Sequence, residues 1–146
     1  MRSFYALFIT VLTGLLLLSR LEAQVIIYDV AEGTVGNQDF GGPLGMDFEV
    51  NSGITVSELG AFDSGSDGLF LPIKVELWSR EGGAGVEALV EMNFDENDEG
   101  VLEGGHRFKA LTEPLVLDPG SYTIVATGYG AEAVSYTHLT LPTSYA

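Results

Sequence analysis

Leu69-Phe70-Leu71-Pro72-Ile73-Lys74-Val75-Glu76-Leu77-Trp78 alternates aliphatic residues with charged, aromatic or proline residues along its whole length. A period of two puts Leu69, Leu71, Ile73, Val75 and Leu77 on one face of a strand and Phe70, Pro72, Lys74, Glu76 and Trp78 on the other. The uniformly aliphatic face has to be buried, while the lysine and the glutamate have to stay near water. This is the signature of a sheet covered on one side only, the usual state of antiparallel sheets.

The same logic extends outward along the chain. Val86, Ala88, Val90, Met92 and Phe94 alternate with Glu87, Glu91 and Asn93, and Met46, Phe48 and Val50 alternate with Asp47 and Glu49. Across 54–62 the parity slips, with Ile54 and Val56 on one phase and Leu59 and Ala61 on the other, which predicts a bulge near Ser57 and Glu58. Glycine-bearing turns separate these runs at intervals of roughly 8 to 12 residues, the spacing of sandwiches and barrels. Asp118-Pro119-Gly120 suits a type II turn. Tyr122, just after it, is placed to form a tyrosine corner, its hydroxyl reaching back to upstream backbone. No long helical period and no internal repeat interrupts the pattern. The expected fold is all-β, an antiparallel β-sandwich of jelly-roll or Ig-like type.

Ahead of this region, 1–23 has the order of a secretory signal: Arg2, an apolar run over 6–18, and Ala23 before an expected cut at Gln24. The apolar run is short of the roughly 20 residues that cross a bilayer, so a signal-peptide helix is expected, with no membrane span in the mature chain. The product is expected to be secreted or held at the cell surface. Cysteine is absent, so no disulfide framework and no lipid-modified cysteine is available. The formal net charge of −15 argues against nucleic acid as a partner, since phosphate binding requires clustered lysine and arginine.

Residues that carry chemistry are few. Asp63, Asp67 and their neighbours to Gly68 form one acidic loop, and Asp95, Asn97 and Glu99, closed by Gly100, form a second. Both offer oxygens on a tightly turned backbone, as Ca²⁺ requires. In the second, His106 stands where an EF-hand loop would place its bidentate glutamate. The competing reading is acidic turns whose side chains cap their own backbone. Trp78, on the outward parity, offers a platform for a sugar ring with Tyr129 assisting; the alternative is edge packing beneath the loop 82–85. Arg107 and Lys109 are expected to pair with surface carboxylates. There is no cysteine nucleophile and no Gly-x-Ser-x-Gly elbow, and His106 is the single histidine ahead of the tail, so a catalytic role is not expected.

Gly45-Met46-Asp47-Phe48-Glu49-Val50, Ile54-Thr55-Val56, Leu59-Gly60-Ala61-Phe62-Asp63, Val75-Glu76-Leu77-Trp78 and Pro119-Gly120-Ser121-Tyr122-Thr123-Ile124-Val125-Ala126 together resemble the β-sandwich modules of unknown function found in exported bacterial surface proteins. The resemblance spans 28–132 and sets the module at 24–132. It implies a noncatalytic adhesion or spacer role in a larger exported protein, truncated here. The alternative is a carbohydrate-binding module, calcium-stabilised, with a glycan or a cell-surface protein as partner. The resemblance supplies no catalytic residues. The tail 133–146 contains no Asp, Glu or Gly, and 134–143 resembles translated sequencing-adapter read-through, so it is set apart as non-native.

Overall fold

The computed structural model describes residues 24–36, 41–81 and 87–130. The expected signal helix over 1–23 and the tail 133–146 lie outside them. The described residues form seven strands: β1 (Leu44–Val50), β2 (Ile54–Phe62), β3 (Ile73–Ser79), β4 (Val90–Phe94), β5 (Val101–Glu103), β6 (His106–Leu117) and β7 (Gly120–Thr127). They build two antiparallel sheets, one ordered β1-β7-β3-β4 and the other β2-β6-β5. The described residues are all-β apart from a single 3-10 turn at Ser64–Ser66.

The alternation read from the sequence dictates what is buried. Ile73, Val75 and Leu77 are each almost wholly excluded from solvent, and Phe94 closes β4 on the same side. One buried cluster joins Leu59 and Ala61 of β2 and Leu111 of β6 to Ile73, Val75 and Phe94 of the other sheet. A second joins Val50, Leu77 and Tyr122 to Leu117. Each cluster draws on both sheets, so the two aliphatic faces bury one another, the main favourable contribution to such a fold.

The strand expected at 69–78 begins late, at Ile73. Leu69 is buried in the first cluster, but Gly68 has φ +116° and Phe70 is exposed, so 69–72 runs as a loop into β3. Pro72, which has no N–H to donate, marks where pairing begins. The slip in β2 is present as a register shift between Val56 and Glu58 against β6. Downstream of that shift, Gly60 lies opposite Phe108, whose ring covers it so closely that any side chain there would collide with the ring.

At the β6–β7 connection Gly120 does not have positive φ, so the turn is not type II. Gly120 already pairs with Val50 as the first residue of β7, and ladder pairing requires extended backbone. The tyrosine corner is formed: the buried Tyr122 donates its hydroxyl hydrogen to Asp118 O at 2.9 Å, and its ring stacks on Phe48 with centroids 5.8 Å apart. Tyr122→Phe keeps the ring and removes the bond, and is expected to lower stability by about 1 kcal/mol in urea denaturation with an unchanged m-value.

Candidate functional site

The two acidic loops meet through one arginine. Counting back along β6 from the buried Leu117 and Leu111 puts Lys109 and Arg107 on the same, core-facing parity. Their register partners Leu59 and Ala61 are buried, so both cations point into the space between the sheets. There Arg107 Nε donates to Asp63 Oδ2 at 2.7 Å, and its Nη1 lies 3.1 Å from Glu99 Oε2. Asp63 is 0% exposed and also accepts the Gly68 N–H at 3.2 Å on each oxygen. Glu99 Oε1 accepts the Leu69 N–H at 3.1 Å. The expectation that Arg107 would pair at the surface is therefore corrected: its position in the core parity brings it to a fully buried carboxylate.

Lys109 closes the neighbouring turn. Its Nζ bonds Asp98 and the Asn93 carbonyl (2.8 Å) and sits 5.4 Å from the centroid of the Phe94 ring. Asp95 Oδ1 accepts the backbone N–H groups of Asn97 (2.8 Å) and Asp98 (3.1 Å), a side-chain cap on its own turn. Asp67 is exposed at the end of the 3-10 turn. The structure thus brings Asp63 and Glu99 together on Arg107, and leaves Asp67, Asp95 and Asn97 apart from that pair. Among the described residues no group of three or more His, Asp or Glu side chains converges as a cation site would.

Trp78 stands on the outer face of the four-stranded sheet, opposite Thr123, with Glu76 and Glu91 further along the same face. Asp47 accepts from Thr123 Oγ1 at 2.5 Å and pairs with Arg80 at 2.9 Å; Glu49 accepts from Ser121 Oγ at 2.6 Å. The face combines one half-buried indole with carboxylates fixed by hydroxyl donors. The loop 82–85 proposed to cover Trp78 lies outside the described residues. Tyr129 is on the other side of the sheet. It packs against the core, and its hydroxyl accepts the Phe62 N–H at 2.7 Å. Burial pushes the Tyr129 phenol up to about 12, with Asp63 adding to the shift.

A third arrangement had no sequence signal beyond a few apolar residues after the expected cut. Residues 24–36 form no strand and instead lie as a strap over the outer face of the three-stranded sheet. Gly105 N–H donates to Val30 O (2.8 Å), Gly65 N–H to Thr34 O (2.9 Å), and Gly33 N–H to Ser66 Oγ (2.8 Å). Beneath the strap the His106 ring lies 5.8–5.9 Å from those of Tyr28, Phe62 and Phe108. Its Nδ1 is buried with no hydrogen-bond partner among the described residues. Burial lowers the imidazole pKa below its ordinary 6.5, against the opposing pull of Asp29 on the strap. Glu103, its register partner on β5, shares its face.

Because His106 binds its proton less readily folded than unfolded, its contribution is full above about pH 6.5 and is lost as pH falls through the lower folded value. Thermal melts from pH 7 to pH 5 are expected to show a falling midpoint, and His106→Phe, which keeps a ring, is expected to show a shallower fall over that window. Identical slopes for the two proteins would exclude His106 as the source.

Comparison of the chain with protein-family models, with curated proteins and with solved structures returns no match in any of the three.

Proposed function

We propose that the chain is a noncatalytic adhesion module of a larger exported surface protein, built as a jelly-roll or Ig-like β-sandwich and made behind a cleavable leader. The supporting observation is where its polar groups point. The acids of the two loops that sit deepest, Asp63 and Glu99, are bonded to Arg107 and to backbone N–H groups of their own fold, while Trp78 and its flanking carboxylates and hydroxyls remain on an outer sheet face. A rigid sheet presenting one aromatic and several fixed polar groups is a means of recognition that needs no reacting atom. A pure spacer role uses the same fold without that face.

The same face favours glycan as the partner, since a sugar ring stacks on an indole and its hydroxyls pair with carboxylates. A glycan array probed with the secreted chain, with and without Ca²⁺, tests this. Hits are expected, and Trp78→Ala is expected to weaken them by about tenfold or more. Hits that persist in Trp78→Ala would remove this face as the contact, and an empty array would leave the spacer role. Binding that requires Ca²⁺ would restore the acidic loops as ion sites.

A further inference from the structure

A cleft of about 1150 Å³ runs along β2, between the strap 24–36 and β1. Of the large apolar side chains that the fold leaves exposed, Val25, Ile27, Tyr28, Val35 and Met46 all line it, at 37–75% exposure. Apolar side chains gathered in one place mark a contact surface rather than chance exposure. Its flanks are also the open edges of the fold: among the described residues β1 ends one sheet and β2 ends the other. A free edge presents unpaired N–H and C=O groups to any extended chain laid beside it.

The charge around the cleft is of one sign. From 21 to 73 the chain contains no lysine or arginine, while Asp29 and Glu32 lie in the strap and Glu58, on β2, lines the cleft itself. The four cations of the described residues are each paired with an acid of this chain: Lys74 with Glu76, Arg80 with Asp47, Arg107 with Asp63 and Glu99, and Lys109 with Asp98. A second copy of so acidic a chain is repelled, and a cationic occupant is attracted.

We propose that this cleft is a docking site for an extended peptide in which apolar and basic residues alternate, added as a strand at the β2 edge. Alternation is required because a strand beside β2 sends every second side chain to the apolar floor and the others to the acidic rim. The nine residues of β2 bound the length of edge available, and the Phe62 N–H at its end is already taken by Tyr129. The site is separate from the Trp78 face, so it stands or falls independently of glycan binding.

The probe is a fluorescein-labelled peptide of about ten residues alternating valine and lysine, matched to the strand length, titrated with the full chain and read by anisotropy. Two peptides of equal charge serve as comparisons: one with the valines and lysines in separate blocks, and one N-methylated at alternate residues so that it cannot pair with an edge. The alternating peptide is expected to bind at least about tenfold more tightly than either. The double variant Val35→Ser, Met46→Ser, changed only at exposed positions, is expected to lose about tenfold. Equal binding by the block peptide would reduce the effect to diffuse attraction by an acidic surface and overturn the proposal. So would unchanged binding in the double variant, or no binding at all. Dimers in sedimentation that the double variant dissolves would assign the cleft to a second copy, and binding only after removal of 131–146 would assign it to the chain's own tail.

Discussion

Asp63→Ala is expected to lower the unfolding free energy by about 3–5 kcal/mol, the largest effect of any single polar substitution in this chain. An exposed ion pair contributes roughly 0–1 kcal/mol, because water screens it and two long side chains must be ordered to make it. Asp63 is different because it has no exposure at all and its oxygens satisfy both the Arg107 guanidinium and the Gly68 N–H. Truncation leaves a half-buried cation with only Glu99 beside it and a buried N–H with nothing. Replacing Arg107 by Met in the Asp63→Ala background is expected to recover part of the loss, since the stranded charge is then removed as well. Equilibrium denaturation of the three proteins gives the values. A loss below about 1 kcal/mol would class the pair with surface salt bridges.

Phe94→Ala is expected to cost about 3–5 kcal/mol through lost burial and the cavity left behind. Phe94 is 1% exposed, contacts the cluster shared by both sheets, and carries Lys109 Nζ near its ring. Phe94→Leu separates the two contributions. It refills most of the space and is expected to cost about 1.5 kcal/mol or less, with the remainder reporting the ring's contact with the cation. If the leucine variant were as damaging as the alanine variant, the aromatic contact rather than the volume would dominate.

Much of this fold could be read from side-chain parity. The buried faces of β3 and β4, the buried end of β1 at Val50, the slip in β2 and the tyrosine corner all follow from period-two alternation and turn chemistry. What went unread came from assuming that charge points outward. Reading back from Leu117, Leu115 and Leu111 puts Lys109 and Arg107 on the core face, and reading forward from Leu59 and Ala61 puts Asp63 there too. The buried pair was therefore present in the pattern, concealed by the habit of placing lysine and arginine in solvent. The strap was not legible, because its hold depends on backbone groups of Gly65 and Gly105 that carry no side-chain signal. For the site, the separation of Trp78 from Tyr129 was available only in part: the parity of β3 sets the first, but the packing of Tyr129 depends on where the chain goes after Gly128. That residue has φ +110°, and a side chain there would run into the Pro72 carbonyl.

Gln24 Nε2 is bonded to Glu58 Oε2, and the Tyr129 hydroxyl to the Phe62 N–H, so the incoming and outgoing chain are both fastened to one strand. Four residues of extended backbone separate these points by about 13 Å. The two ends of the described chain, Gln24 and Gly130, therefore leave the domain from one margin, and a partner fused at either would stand beside β2 and away from the Trp78 face.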